Sequence, residues 1–146
     1  MRPALHLSTL AVVASSLVIA TGCDDTGTDA PADAPFELEG VWTSDFGEET
    51  ITSATWTGYV AQTVVQYDNR ENIAILRNPE DDQYAPGKYS RVVWTEPEGD
   101  AFHYCMVAFG QDTAAAAAAA PESAVDRTDL DEKGCGGFPW SFLTRK

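Results

Sequence analysis

The most reactive side chains beyond residue 22 are those of three cysteines and one histidine. Cys105 and Cys135 lie 30 residues apart, Cys23 follows an apolar run, and His103 is the one histidine beyond residue 22. Structural zinc sites and dithiol redox centres use closely spaced pairs such as Cys-x-x-Cys, and the sequence contains no such pair. The spacing predicts no metal site and no cofactor, which leaves lipid attachment and disulfide formation as the cysteine chemistry.

Cys23 ends a short apolar segment near the start of the chain. Arg2 precedes residues 7–20, which are mostly Leu, Ala, Val and Ile, and Asp24 follows the cysteine directly. A basic start, an apolar middle and small residues at the end are the features of a secretory signal. Because a membrane-spanning helix needs about 20 predominantly apolar residues, this shorter run predicts a cleaved signal rather than an anchor helix.

The segment Ala20-Thr21-Gly22-Cys23 resembles the lipobox of bacterial lipoproteins, with Gly22 at the small position before the cysteine. The resemblance implies that the signal peptide, residues 1–22, is removed and that Cys23 carries lipid, palmitate included. Since two or more acyl chains anchor a protein stably, we expect a bacterial cell-envelope lipoprotein, exported and lipid-anchored in a membrane, at the periplasmic face or the cell surface. The alternative is an ordinary secretory signal that is cut near Ala20 or Gly22.

With Cys23 assigned to lipid, Cys105 and Cys135 remain as a pair in an exported chain. Free cysteines pair by default in an oxidising compartment, so we expect a disulfide between these two. By the loop-entropy relation, closing a loop of about 30 residues stabilises a domain by roughly 3.5 kcal/mol.

The chain is strongly acidic, with a formal charge of −14. Residues 1–22 hold one base and no acid, so their removal leaves a charge of −15. Such a surface repels nucleic acid and anionic lipid headgroups, and we expect no nucleic-acid partner.

Residues 24–35 contain no large apolar side chain. This composition predicts that residues 23–35, which begin at the lipidated cysteine, form a flexible tether rather than a calcium site, and that residues 36–146 form a single domain.

The sequence offers no enzymatic motif. It lacks the Gly-x-Ser-x-Gly elbow, the phosphate-binding loop and the His-Glu-x-x-His pattern. His103 fits a hydrogen-bonded structural residue on a strand. The acid groups Glu48-Glu49 and Glu80-Asp81-Asp82 fall in predicted turns, where solvation accounts for them. We predict that the protein is not an enzyme.

Alternating apolar and polar residues predict a mainly β domain. The predicted strands cover residues 36–43, 50–57, 59–67, 73–77, 89–95 and 101–109, with a last strand in which Phe138, Trp140 and Phe142 share one face. Seven consecutive alanines, Ala114–Ala120, predict a helix before that last strand, with Asp112 as its N-cap. The expected fold is a small antiparallel meander or barrel, with a β-sandwich as the alternative.

The segment Leu38-Glu39-Gly40-Val41-Trp42, together with Gly47 and Thr50-Ile51, resembles the opening Gly-x-Trp strand of the lipocalin and avidin superfamily. The resemblance implies a lipocalin-like barrel in which the tryptophan packs across one end.

Two functions remain open at this point. The first is a small-ligand binding module for a neutral or cationic ligand with an apolar portion, because the net charge disfavours anions. Its candidate residues are aromatic side chains and one mid-strand base: Trp42, Trp56, Tyr59, Arg91, Trp94, Tyr104 and Trp140. Arg91 is either an inward charge or an outward, solvated base. The second function is an envelope interaction or structural lipoprotein, in which the aromatic residues are core and the acidic loops meet another protein. A cavity of several hundred Å³ favours the first function.

Overall fold

Residues 34–146 are described by a computed structural model of the chain, and the predicted signal peptide, the lipidation site at Cys23 and most of the tether lie outside the described residues. The described part forms eight β-strands and one short helix. These are β1 Gly40–Ser44, β2 Gly47–Ile51, β3 Thr55–Thr57, β4 Ala61–Asp68, β5 Ile73–Arg77, β6 Tyr89–Trp94, β7 Ala101–Gln111, α1 Ala114–Ala118 and β8 Ser141–Arg145.

The eight strands form a closed barrel. Each strand pairs antiparallel with the next one along the chain, and β8 returns to β1, with Trp42 opposite Arg145 and Thr43 opposite Thr144. Closure leaves no free sheet edge, so the sandwich alternative is wrong and the predicted mainly β barrel with one Ala-rich helix, consistent with a lipocalin-like fold, is confirmed. A barrel of eight strands has an interior just wide enough for side chains or for one small ligand.

Residues 34–39 close one end of the barrel. Phe36 and Leu38 are fully buried, and the ring of Phe36 stacks on Tyr67 with 4.6 Å between centroids. The backbone N–H of Glu39 donates to the carbonyl of Phe36 at 3.0 Å, which makes this segment a turn. The strand predicted from residue 36 is therefore wrong over its first four residues, because a turn that buries Phe36 and Leu38 imitates the alternation of a strand.

The Gly-x-Trp segment supports the same closed end. Trp42 is fully buried, and its indole N–H donates to the carbonyl of Leu38 at 2.7 Å. The guanidinium of Arg145 lies over the indole ring, 4.3 Å from its centroid. Gly40 has a φ of +152°, which residues other than glycine rarely adopt, and a Cβ atom there would displace the guanidinium from its place over the ring.

The predicted strand over residues 50–57 is two strands. β2 ends at Ile51 and β3 begins at Thr55, because Thr52 holds a tight turn between them. The Thr52 hydroxyl accepts hydrogen bonds from the backbone N–H groups of Ala54, at 3.2 Å, and Thr55, at 2.9 Å. Side chains of Ser and Thr compete with the sheet for backbone partners in this way, and the apolar pattern on either side gives no sign of the break.

Residues 112–140 cover the outside of the barrel. α1 packs against β5, β6 and β7, and its N-cap is Thr113, whose hydroxyl accepts from Ala116 N at 3.0 Å. The predicted cap, Asp112, instead pairs with Lys88. Its side chain therefore supports the loop before β6 rather than the helix.

The outer cover has a small apolar core of its own. Val93, Cys105 and Trp140 are buried there, with Leu130 and Cys135 packed against them. Cys105 and Cys135 form a disulfide with Cα atoms 5.6 Å apart, as the sequence predicts. The bond ties β7 to the cover.

The last strand is shorter than predicted, although the three aromatic residues predicted on one face all line one outer cleft. Leu143 is the fully buried residue of β8 and belongs to the core inside the barrel. Phe142 is about half exposed and Phe138 largely exposed, whereas Trp140 lies in the outer core. The strand begins only at Ser141, so Phe138 and Trp140 precede it and follow the path of the cover rather than the alternation of a strand.

Candidate ligand-binding mouth of the barrel

The end of the barrel opposite residues 34–39 is open. The β1–β2 turn at residues 45–46, the β3–β4 turn at residues 58–60 and the β5–β6 loop at residues 78–88 stand around it. A cavity of about 260 Å³ lies between these loops and reaches into the barrel. We call this cavity the mouth.

Glu49 is the central residue of the mouth's floor. Its carboxylate accepts from the indole N–H of Trp56 at 2.7 Å. The hydroxyls of Tyr104 and Ser44 approach the other carboxylate oxygen, both at 3.4 Å. Glu49 is 7% exposed, and none of the ion pairs found within residues 34–146 includes it. It is therefore a buried acid whose hydrogen-bond partners among the described residues are all neutral groups.

A second polar group lies on the floor beside it. Gln62 and Asn78 are both buried, and the amide of Gln62 donates to the amide oxygen of Asn78 at 2.6 Å. Asp82 in the loop after β5 accepts from the backbone N–H groups of Tyr84 at 3.0 Å and Ala85 at 2.7 Å. These bonds, of which the one from Ala85 has the largest effect, hold the pKa of the Asp82 carboxyl below its usual value. They also fix the loop that carries Tyr84.

Aromatic side chains form the wall and rim of the mouth. Trp56 and Tyr104 meet edge to face in the wall, with 5.1 Å between centroids. Above them the rim rings are exposed to solvent: Phe46, Tyr59, Tyr84 and Phe109. Exposed aromatic side chains gathered around a cavity are a frequent feature of binding sites.

A bulge in β7 contributes to this arrangement. Val92 pairs with Met106 and Arg91 pairs with Ala108, so one extra residue of β7 is inserted between them. The insertion exchanges the faces of the strand after Met106, and Met106 and Phe109 both line the mouth although they are three positions apart. The alternation along the sequence predicts Phe109 on the face of His103, which is wrong beyond this bulge.

Burial raises the pKa of Tyr104 to about 12, and the neighbouring Glu49 carboxylate adds to the shift. The phenol is therefore neutral at physiological pH. It can donate or accept a hydrogen bond at the floor of the mouth, but it does not supply a phenolate.

The structure brings together part of the predicted ligand set. Trp56 and Tyr104 form the wall of the mouth and Tyr59 stands at its rim, 91% exposed. Trp42 and Trp94 are fully buried at the closed end, where a ligand would have to displace the core. They contribute to stability rather than to the mouth.

Arg91 and Trp140 lie outside the barrel. Arg91 donates to the carbonyls of Ala118 at 3.3 Å and Ala120 at 2.6 Å and pairs with Glu122, and its side chain is 13% exposed. It is neither an inward charge nor a solvated base, because the end of α1 and the segment after it cover it. The indole N–H of Trp140 donates to the carbonyl of Asp126 at 3.2 Å, which places Trp140 in the cover.

Glu49 is the main residue that the sequence analysis missed. The pattern of Glu48-Glu49 predicts a solvated turn, but Glu49 lies in β2 opposite Trp42 and faces inward together with Ile51. The sequence signal that could have found it is the spacing of two positions between Glu49 and Ile51, which places both side chains on the same face of a strand. Tyr84 and Phe46 sit in loops, where no period marks them.

Two wider clefts lie on the outer surface near His103, with volumes of about 760 and 550 Å³. The ring of His103 packs on Phe142 with 4.6 Å between centroids. Partial burial lowers the pKa of this imidazole, while the nearby carboxylates of Asp131 and Glu98 oppose that shift. Neither cleft is lined by a buried carboxylate like Glu49 of the mouth, although Asn72, which lines the smaller cleft, has a buried Oδ1 atom without a hydrogen-bond partner.

Comparison with known proteins gives no relative: no protein-family model, no curated protein and no solved structure matches the chain. Within residues 34–146, no group of three or more His, Cys, Asp or Glu side chains is arranged to hold a metal ion. No helix in this part of the chain is long and apolar enough to cross a membrane.

Proposed function

We propose that this protein is a lipid-anchored binding module of the bacterial cell envelope, which takes up a small ligand with an apolar portion in the mouth of its barrel. The observation that carries the proposal is the mouth itself, a cavity of about 260 Å³ with a buried polar floor and an exposed aromatic rim. A few placed polar groups within an apolar wall are typical of small-molecule sites. The volume suits a ligand with one or two rings.

The entry of the chain into the domain supports the anchored arrangement. The carbonyl of Ala34 accepts from the hydroxyl of Tyr67 at 3.1 Å, and the carbonyl of Pro35 accepts from Asn69 at 2.8 Å. These contacts fasten the chain to the closed end of the barrel. A tether that starts at a lipidated Cys23 therefore joins the domain at the end opposite the mouth.

The anchor is tested by fractionation of cells that express the full-length protein. We expect the wild type in the membrane fraction, released by detergent, and the Cys23→Ser variant in the soluble exported fraction. A variant that stays in the membrane and is still released by detergent contradicts lipid attachment at this residue.

The mouth is tested by a thermal-shift screen of full-length protein in a non-ionic detergent, against lipids, aromatic metabolites, polyamines, sugars and divalent metals. A ligand present at 100 times its dissociation constant stabilises the native state by about 2.7 kcal/mol. For a domain of this size that raises the melting temperature by several degrees or more. The reference is the same protein in the same detergent without ligand.

Two matched tryptophan substitutions locate the bound ligand. Met106→Trp fills the mouth, whereas Phe138→Trp adds the same side chain to an outer cleft. We expect the shift to be lost in the first variant and kept in the second, and the reverse result places the ligand outside the barrel.

The alternative function is an envelope interaction or structural lipoprotein, favoured by the exposed Phe138 beside the outer cleft. An absence of any shift, together with co-purification of an envelope protein, would decide for that alternative.

A further inference from the structure

The charges around the mouth have one sign. Among the described residues that line it, Glu49 and Asp82 carry carboxylates and none is a lysine, arginine or histidine. The chain as a whole has a formal charge of −14. An anionic ligand would therefore meet repulsion at the floor and at the rim, without a base to offset it.

Within residues 34–146, Glu49 has no counter-ion. A buried carboxylate is costly unless a cation or several good hydrogen bonds compensate it. Its one close donor is the indole N–H of Trp56 at 2.7 Å, while the two hydroxyl contacts at 3.4 Å are long. A carboxylate has about four lone-pair positions, so this group can accept further and stronger bonds. An ammonium group in the mouth would supply both the donors and the missing positive charge.

The wall and rim also suit a cation. The rings of Trp56 and Tyr104 meet in the wall, and Phe46, Tyr59 and Phe109 stand above them at the rim. Aromatic faces attract a cation through the ring quadrupole, and cages of such rings recognise ammonium groups. The apolar body of the ligand would lie against the same rings.

We propose that the ligand of the mouth is an organic cation, a primary or substituted ammonium on an apolar or aromatic body, with its charged head at Glu49 and its body against the aromatic rim. This inference rests on the proposed function, since it names the ligand class of the same cavity. It goes further by assigning Glu49 as the counter-ion that selects the ligand by charge.

The test compares three probes that share one body and differ in the charge of the head: 2-phenylethylammonium, 2-phenylethanol and phenylacetate. Isothermal titration calorimetry measures their dissociation constants on the full-length wild-type protein in one non-ionic detergent. We expect the cation to bind at least tenfold more tightly than the alcohol, and the anion to bind most weakly.

Two variants remove the same charge from opposite ends of the barrel. Glu49→Gln keeps the shape of the side chain and an acceptor for Trp56, and we expect it to weaken binding of the cation about tenfold or more while binding of the alcohol changes less than about threefold. Glu37→Gln is the matched control, because Glu37 also accepts from a tryptophan indole, that of Trp94, but at the closed end. We expect it to leave all three affinities unchanged.

The outcomes separate this inference from the proposed function. Equal binding of the amine and the alcohol, or a Glu49→Gln variant that binds the amine like wild type, overturns the cation assignment and leaves the binding module standing. Loss of amine affinity in Glu37→Gln as well shows a general charge effect and also overturns it. Failure of all three probes overturns it too, and a screen without any shift then contradicts the binding module itself. If circular dichroism shows that Glu49→Gln is unfolded, the preference of the wild type for amine over alcohol decides.

Discussion

The two ends of the barrel use the same pair of side chains for different purposes. At the closed end the indole of Trp94 donates to Glu37, and at the mouth the indole of Trp56 donates to Glu49. Glu37 lies on the outer side of the closed end and is only partly buried, whereas Glu49 lies inside the barrel and is 7% exposed. The same type of hydrogen bond, from a tryptophan indole to a glutamate, thus lies at the surface of a packed end in one case and holds a carboxylate at the floor of a cavity in the other.

This difference indicates that the two ends of the barrel contribute differently to stability and to binding. The closed end contains Phe36, Leu38, Trp42 and Phe102, all fully buried, with the rings of Trp42 and Phe102 packed edge to face. The mouth keeps comparable rings at its rim in solvent, with Phe46 90% exposed. Apolar surface that stays exposed adds nothing to folding, so we expect the closed end to determine stability and the mouth to determine binding.

The largest expected effect tests that division directly. Trp42→Ala removes a buried ring that Arg145 and Phe102 contact, and substitutions of this kind cost about 3–5 kcal/mol. Tyr59→Ala removes an exposed ring from the rim, where the expected change in stability is within about 0.5 kcal/mol. Urea denaturation followed by tryptophan fluorescence and circular dichroism measures both. Equal losses in the two variants would contradict the division between the ends.

A slightly smaller loss of stability is expected when the disulfide between the barrel and its outer cover is removed. The disulfide joins Cys105 in β7 to Cys135 in the cover, at a sequence separation of 30. The double variant Cys105→Ala and Cys135→Ala should lose roughly 3.5 kcal/mol, because the unfolded chain regains the entropy of the open loop. Urea denaturation of the exported protein measures the loss. A loss below about 1 kcal/mol, or two free thiols in unreduced wild-type protein by mass spectrometry, would count against this role.

The sequence predicts the barrel and the disulfide, but it predicts neither the turn over residues 36–39 that closes one end nor the floor of the mouth. The strand periods and the Gly40-Val41-Trp42 segment are local patterns, and they lead to the observed barrel with a buried tryptophan. The two cysteines lead to the observed disulfide. The position of Glu49 instead depends on the pairing of β1 with β2, in which it stands opposite Trp42. A shift of one residue in that register would turn Glu49 outward, and a glycine followed by two acids is, as a local pattern, typical of a turn.

Irregularities within single strands limit what a sequence period can predict, as the position of Phe109 shows. The register shifts between Val64 and Gln66 in β4, and again near Val107 in β7, so a period counted along either strand fails halfway. Arg91 differs from both expectations for another reason: its partners are carbonyls of α1 and of the segment after it, 27 and 29 positions later in the chain. No local pattern indicates a contact over that distance.

The smallest expected effect is a pH dependence at the closed end, and it sharpens the comparison of the two glutamates. Burial raises the pKa of Glu37 above its usual value of 4.5, the bond from Trp94 opposes this, and the charge of Glu96 adds to it. A carboxyl whose pKa is raised on folding contributes stability that is present below the unfolded pKa and is lost as the pH rises through the folded one. Glu37→Gln stays neutral at every pH and keeps an acceptor for Trp94, so its melting temperature relative to wild type should rise between about pH 4 and pH 7. The change should be small, because Glu37 is only partly buried and solvent screens its charge, and because the other titrating groups are common to both proteins and cancel. A difference that is constant or falls over this range would mean that burial does not penalise the charge of Glu37 and that the hydrogen bond from Trp94 outweighs it.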